Sequence, residues 1–196
     1  MKPLSHARED LVRLFVAVEL DENVRKNLAD EQARVMQATG GVKWVSPAMI
    51  HMTLVFLGDV FAGQVEGISN VLDTEVGATR SFVIEVAGLG TFGPRHCPRV
   101  VWAGVGKGAD EIVALQSWID RGLRALDLSL ESRPFHPHFT LGRIKSPREA
   151  QGLTGTLDRS AATVYGMVTV NRVLLMQSVL HSQGPVHTVL HVSALN

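Results

Sequence analysis

Two copies of a short pattern place an imidazole beside a hydroxyl. The segments His51-Met52-Thr53-Leu54 and His138-Phe139-Thr140-Leu141 both read His-x-Thr-Leu, and both lie in runs of apolar and β-branched residues that favour an extended strand. Because side chains alternate along a strand, the His and Thr share one face, while the two apolar residues point to the other face and can anchor the strand. Two such strands predict a site with two sides.

Paired imidazoles suit acid–base chemistry at phosphorus. Since the unperturbed imidazole pKa is about 6.5, one ring can take a proton from an attacking water near neutral pH while the other gives a proton to a leaving oxygen. The hydroxyls of Thr53 and Thr140 can donate hydrogen bonds to the non-bridging phosphate oxygens. The residue types would allow phosphodiester hydrolysis without a metal ion, and they leave open which imidazole is the acid.

The two motifs resemble the signature of the 2H phosphoesterase superfamily. The resemblance is closest to its bacterial and archaeal RNA 2′,3′-cyclic phosphodiesterases, once called 2′-5′ RNA ligases, and it extends over most of the chain, from about residue 13 to residue 190. Further similar segments are residues 13–17, 42–45, 56–58, 90–93, 98–105, 178–180 and 184–185.

The resemblance implies a fold and an activity. It implies an α+β, two-lobed fold in which two mainly antiparallel sheets, one contributed largely by each half, face a central groove with helices outside. The expected activity is hydrolysis of an RNA or nucleotide 2′,3′-cyclic phosphate to a 2′-phosphomonoester, with His51 as proton donor, His138 as proton acceptor and no cofactor. Run backwards, the same apparatus would join a 5′-hydroxyl to a cyclic end, so 2′-5′ RNA ligation is an alternative.

Four further residues are predicted to bind substrate. Arg143 follows the second motif and could pair with the phosphate, but strict alternation puts it on the face opposite His138, so a bend near Gly142 would be required. Phe56 and Trp44 could stack on a base, although strand aromatics are more often core residues. Lys43 could contact an RNA phosphate, or it could be an ordinary solvated lysine.

Two other readings of the chain remain open. The segment His136-Pro137-His138 could be a metal-binding His-x-His, but no third ligand stands at a convincing spacing and the repeated Thr would be unexplained. A non-catalytic module that holds a nucleotide or an RNA end is the other alternative. His187 stands where the resembled family often has an aromatic residue, and we expect this difference to alter base stacking at most.

The bulk composition limits the classes of protein. The 196 residues have a formal net charge of zero, which argues against binding long nucleic acid by bulk electrostatics but leaves room for a local basic pocket. The single cysteine, Cys97, excludes an internal disulfide, and the apolar runs are too short for a membrane helix. We therefore expect a cytoplasmic monomer that acts on RNA ends or small nucleotides.

Periodicity predicts strands alternating with helices in one two-lobed domain over residues 11–196, after a loose tail at residues 1–10. Strands are predicted at residues 11–20, 42–45, 51–57, 82–86, 99–105, 164–170, 172–180 and 186–192, besides the second motif strand. Helices are predicted from a cap at Asp21 to about Thr39, over residues 62–76, and from a cap at Asp110 to Leu126. Residues 88–98 are expected to form a loop, and a capping box at Ser146 to Glu149 predicts a short helix there.

Overall fold

The structure is a computed structural model, and it describes residues 10–94, 96–146, 148, 150, 152–182 and 184–196. These residues form the strands β1 (Leu11–Glu19), β2 (Val42–Trp44), β3 (His51–Phe61), β4 (Phe82–Phe92), β5 (Val100–Val105), β6 (His138–Ile144), β7 (Val164–Val170), β8 (Arg172–His181) and β9 (Gly184–Ala194). They also form the helices α1 (Glu22–Ala38), α2 (Val65–Gly77), α3 (Ala109–Arg124) and α4 (Leu153–Asp158). Of the tail predicted at residues 1–10, only Asp10 lies within the described residues.

Two antiparallel sheets confirm the predicted α+β class. The first sheet has the strand order β3-β1-β8-β9, and the second has the order β2-β6-β5-β4-β7. The expectation that each half of the chain builds its own sheet is wrong, because each sheet combines strands from both halves. The central strand β1 must satisfy backbone groups on both of its edges, and β3 supplies one edge while the distant β8 supplies the other.

The helices pack on the sheets through apolar faces. Helix α1 lies against β7 and α4, helix α2 lies against β8 and β9, and helix α3 lies against α2 and also contacts β3 and β4. The buried face of α3 keeps the predicted helical spacing with Ile112, Leu115, Ile119 and Leu123. The predicted cap at Asp110 is wrong, since Gly108 holds the N-cap position with a φ of 80° and Asp110 lies in the first turn. No helix in the described part of the chain is long and apolar enough to cross a bilayer.

Glycines mark bulges where the sequence pattern predicted strand ends. Strand β3 continues past Gly58 to Phe61, and strand β4 continues through Gly88 to Phe92, so the loop predicted from residue 88 begins five residues later than expected. Both glycines have a positive φ, 71° at Gly58 and 69° at Gly88, and each lies at a shift in strand register. A bulge residue with positive φ suits glycine and bends a strand without ending it, which explains the misreading.

The helix predicted from Ser146 begins later than expected. The carbonyl of Ser146 accepts a hydrogen bond from the Ala150 amide at 3.1 Å, which closes a single turn, and α4 begins at Leu153. Pro147 and Glu149 of the predicted capping box lie outside the described residues. The strands β7, β8 and β9 are confirmed within a few residues of their predicted bounds.

Candidate active site

The two motif strands meet between the sheets. Strand β3 is an edge of the first sheet, strand β6 is the second strand of the second sheet, and the two contact each other. The apolar residues of the motifs are buried as alternation predicts, and their exposed fractions are 0% at Met52, 3% at Leu54, 0% at Phe139 and 1% at Leu141. The partly buried histidines and threonines lie on the opposite faces of these strands.

One cavity of about 690 Å³ lies between these faces. All eight residues predicted for the site line it, namely His51, Thr53, His138, Thr140, Arg143, Phe56, Lys43 and Trp44. The remaining lining residues are Phe15, Val45, Ser46, Met49, Lys145, Ser178, Leu180, Gly184, Pro185 and His187. The two distant motifs therefore share one space, and the roles of the individual side chains remain predictions.

The two imidazoles are held in the same way. The Nδ1 atom of His51 lies 2.9 Å from the carbonyl oxygen of Met49, and the Nδ1 atom of His138 lies 2.7 Å from the carbonyl oxygen of His136. Because a carbonyl oxygen can only accept a hydrogen bond, each Nδ1 carries a proton and donates it. The Nε2 atom of each ring is left as the nitrogen that can exchange protons with a substrate.

His51 lies in an aromatic environment. Phe15 stacks on its ring at a centroid distance of 4.9 Å, and His187 meets it edge-on at 5.4 Å. Burial lowers the pKa of His51, the bond to the Met49 carbonyl opposes this shift, and the neighbouring His187 lowers the pKa further. Sequence reasoning missed the closeness of His187, because nothing local shows that the β8–β9 hairpin reaches the first motif.

His138 has different neighbours. Phe92 meets its ring edge-on at a centroid distance of 4.7 Å and an interplanar angle of 90°. Burial lowers the pKa of His138, the hydrogen bond to the His136 carbonyl raises it, and the nearby His136 ring and the positive charge of Arg143 lower it further. In the free protein, both imidazoles therefore favour the neutral form more than an exposed histidine does.

A bulge in each motif strand turns the residue five positions after the histidine into the cavity. In β3, Val55 pairs with Val16 and Thr53 pairs with Ala17, so Leu54 is the extra residue. Phe56 consequently turns to the cavity and is 43% exposed. This finding favours the substrate-facing reading of Phe56 over the core reading.

The same irregularity follows the second motif. In β6, Gly142 pairs with Val101 and Thr140 pairs with Trp102, so Leu141 is the extra residue. Arg143 is exposed and lines the cavity with His138, whereas strict alternation had placed it on the other face. The bend that the sequence required near Gly142 is therefore this bulge.

Helix α1 holds the second bulge in place. Gln32 is only 4% exposed, and its Nε2 atom donates to the carbonyl oxygen of Leu141 at 2.8 Å and to that of Val45 at 3.0 Å. A Cβ atom on Gly142 would lie 2.7 Å from Val42 Cγ1, so only glycine fits at this position. Gln32 was missed from the sequence because it is one polar residue among many on a polar helix.

The two predicted aromatic residues differ in their packing. Trp44 lines the cavity and also packs against the core, so its stacking on a base stays a prediction. The guanidinium carbon of Arg13 lies 4.9 Å from the ring centroid of Phe56. Arg13 in turn forms an ion pair with Asp59, with 3.7 Å between Nη1 and Oδ1. A cation on a ring face is favourable, so Arg13 helps to hold Phe56 in its orientation.

A metal site built on His136 and His138 would need a third ligand, and the described residues supply none. No group of three or more His, Cys, Asp and Glu side chains is placed there to hold a metal ion. His136, the other half of the proposed His-x-His, is not among the residues that line the cavity.

Comparisons with known proteins agree with one another. The family model described as LigT like Phosphoesterase matches residues 18–102 and 105–187, which include both motifs. A Methanothermobacter thermautotrophicus protein named RNA 2′,3′-cyclic phosphodiesterase is 35% identical over 185 residues, which are 94% of this chain and 99% of that protein. A Thermotoga maritima protein of the same name is 32% identical over 181 residues, which are 92% of this chain and 94% of that protein. A crystal structure of a Thermus thermophilus protein has a TM-score of 0.78 at 28% identity and covers 93% of this chain and 97% of its own.

Proposed function

Because the chain belongs to the LigT-like phosphoesterase family, we propose that it hydrolyses the 2′,3′-cyclic phosphate of an RNA end or a nucleotide to a 2′-phosphomonoester. The observation that carries this proposal is the cavity shared by two imidazoles, each with Nδ1 fixed on a carbonyl, and two threonines. Several relatives share the name RNA 2′,3′-cyclic phosphodiesterase, which supports a cyclic phosphate as the substrate.

The threonines and the arginine would bind the phosphate. The hydroxyls of Thr53 and Thr140 donate hydrogen bonds to the two non-bridging oxygens, one from each sheet. The guanidinium of Arg143 adds a positive charge with several donors. These groups stabilise the charge that builds on the oxygens as water attacks phosphorus.

The imidazoles would move the protons. His138 Nε2 takes a proton from the attacking water as the new bond between oxygen and phosphorus forms. His51 Nε2 gives its proton to the 3′-oxygen as the bond between that oxygen and phosphorus breaks. The bond to the 2′-oxygen survives, so the product is a 2′-phosphate, and proton exchange with solvent returns both rings to their starting states. The negative charge of the bound phosphate raises the pKa of both rings, which helps His51 to carry its proton.

The test is hydrolysis of a nucleoside 2′,3′-cyclic phosphate in excess chelator, with the product identified by phosphorus NMR. We expect a 2′-phosphate and no effect of the chelator. His51→Ala and His138→Ala should each lower kcat by about 10³-fold while circular dichroism shows an intact fold. The matched control is His191→Ala, since His191 lies outside the cavity and binds Asp73 at 2.7 Å.

Each other outcome supports a different function. Loss of activity in chelator would favour a metal hydrolase, and a 3′-phosphate product would overturn the assigned bond cleavage. Binding without turnover would favour the non-catalytic module. Joining of a cyclic end to a 5′-hydroxyl RNA, faster than hydrolysis, would favour ligation.

A further inference from the structure

Three basic residues form a patch on one wall of the cavity, which we call the cationic edge and which consists of Lys43, Arg143 and Lys145. Lys43 is directly opposite Arg143 in the pairing of β2 with β6. Lys145 follows two residues later, and its amide donates to the Gly41 carbonyl at 2.8 Å, which continues the same ladder. All three side chains are exposed and line the cavity.

The cationic edge is electrostatically unfavourable in the free protein. Like charges on directly opposite strand positions repel each other and destabilise a sheet. No ion pair found among the described residues involves any of the three side chains. The cavity lining, in its described part, contains no aspartate or glutamate. A chain with zero net charge thus concentrates positive charge at one wall of its candidate site.

One cyclic phosphate does not account for these charges. A 2′,3′-cyclic phosphate is a diester with a single negative charge, and the two threonines with Arg143 already supply donors and a cation for it. The lining contributed by the first sheet contains Phe56, Leu180 and Pro185 beside His51, Thr53, Ser178 and His187, and in its described part it has no lysine or arginine. A base would therefore lie against the first sheet, and the cationic edge is left facing another part of the substrate.

We propose that Lys43 and Lys145 bind a second phosphate of the substrate, with Arg143 between the two phosphate sites. This inference rests on the proposed function and narrows its substrate class. The substrate is a nucleotide or oligonucleotide that carries a further phosphate within reach of β2 and β6. A nucleoside 2′,3′-cyclic monophosphate fills only part of the site.

Two classes of compound could supply that second phosphate, and kinetics separates them. The experiment compares kcat/KM for a nucleoside 2′,3′-cyclic monophosphate, for the same compound with a 5′-phosphate, and for a dinucleotide with an internal phosphodiester and a cyclic end. We expect at least one of the two larger substrates to be preferred by about tenfold or more, with a preference that falls as salt is raised. The identity of the preferred substrate shows whether a terminal phosphate or an internal phosphodiester occupies the subsite.

Variants connect that preference to the two lysines. Lys43→Ala and Lys145→Ala should each reduce the preference ratio by about fivefold, and the double variant should bring it close to one. The matched control is Lys26→Ala, an exposed lysine of helix α1 outside the cavity, which should leave the ratio unchanged. Removing either lysine of the cationic edge should also raise Tm in low salt, because repulsion is relieved. A ratio near one in the wild type, or an unchanged ratio in the double variant, would overturn the inference.

Equilibrium binding separates this inference from the proposed function. We expect a nucleoside 2′,5′-bisphosphate to bind at least about tenfold more tightly than the nucleoside 2′-monophosphate, and the double lysine variant to abolish the difference. Equal affinities alongside normal turnover would disprove the second subsite alone. The expected difference in affinity without any turnover would disprove the proposed function alone.

Discussion

Strands β3 and β6 carry the same motif on the same scaffold but differ at the residue five positions after the histidine. Each has an imidazole fixed through Nδ1, a threonine two residues later, and a bulge that turns the side chain three residues after that threonine into the cavity. That side chain is Phe56 in β3 and Arg143 in β6. One local design, used twice, thus builds an aromatic wall and a cationic wall around one space.

The surroundings of the two imidazoles extend this difference. Around His51 lie Phe15 and His187, whereas His138 has the positive charge of Arg143 and the ring of His136 as its neighbours. Burial lowers both pKa values, but the further lowering comes from different neighbours in each case. The two halves can therefore be tuned separately, as a site with distinct proton donor and acceptor requires.

The largest expected contrast is in the kcat of the two histidine variants, measured on a substrate with a good leaving group. In a nucleoside phosphodiester that releases 4-nitrophenolate, the leaving oxygen needs no proton. We expect His51→Ala to lower kcat by only about tenfold there, and His138→Ala to lower it by about 10³-fold, because water must still be activated. On the cyclic substrate the two variants should lose similar activity. The opposite order on the nitrophenyl ester would exchange the donor and acceptor roles, and equal losses would break the comparison.

Replacements of Arg143 and Phe56 should show the next largest contrast in kcat/KM. Arg143→Met should lower kcat/KM by about 10²-fold and Arg143→Lys by less, because lysine keeps the charge but not the planar fork. Phe56→Leu should lower kcat/KM by about tenfold, mainly through KM, because base stacking is lost. On a methyl riboside 2′,3′-cyclic phosphate, which has no base, we expect only the Arg143 effect.

Phe61→Leu is the control for Phe56. Phe61 lies in the same strand at 47% exposure but outside the cavity, so its replacement should leave KM unchanged. An equal Phe56 effect with and without a base would show that the ring supports the protein rather than the substrate.

Features that depend only on the alternation of side chains within one strand could be predicted from the sequence. The motif strands, the burial of Met52 and Phe139 and the shared face of each His and Thr all follow from a period of two. Arg143 was placed on the wrong face by the same rule, because a bulge depends on how the partner strand is paired. The requirement for a bend was visible, but its position and cause were not.

Contacts made by distant segments could not be predicted. His187 reaches His51 only because β8 pairs with β1, a pairing between the two ends of the chain that no local pattern encodes. Gln32 has a role only because β2 joins β6, which brings the carbonyls of Val45 and Leu141 together above helix α1. Neither contact could be predicted because both depend on pairing between distant strands. The expectation that each half forms its own sheet was wrong for the same reason.

Gln32→Leu tests whether the bulge in β6 positions Arg143. The variant leaves two buried carbonyls with fewer donors, so we expect the free energy of unfolding to fall by about 1–3 kcal/mol. We also expect kcat/KM to fall by about fivefold, because Arg143 is less well oriented. In an Arg143→Met background, the same change should cost no further activity, since the residue it positions is absent.

Asn27→Leu is the control for a purely structural effect. Asn27 lies on the same helix and donates to the Tyr165 carbonyl at 2.7 Å, away from the cavity. Because Asn27 is exposed, its loss should reduce stability by less than the loss of Gln32, and kcat/KM should not change. If Gln32→Leu and Arg143→Met have additive effects on kcat/KM, Gln32 acts on the whole fold and not through Arg143.

The smallest expected effects are shifts of the pH profile, and each should move one limb only. The base His138 works when neutral, so activity is lost as pH falls through its pKa, while the acid His51 works when protonated, so activity is lost as pH rises through its pKa. Burial lowers both pKa values in the free protein, so both limbs of kcat/KM should lie at lower pH than those of exposed imidazoles.

Removing one positive neighbour at a time should separate the limbs. His187→Gln removes a charge that lowers the pKa of His51, so the alkaline limb should move to higher pH by a few tenths of a unit. His136→Gln removes a ring that lowers the pKa of His138 and keeps the carbonyl that holds the His138 ring, so the acid limb should move to higher pH instead. If both variants move the same limb, the two imidazoles titrate as one coupled pair, and the division of the site into two separately tuned halves fails.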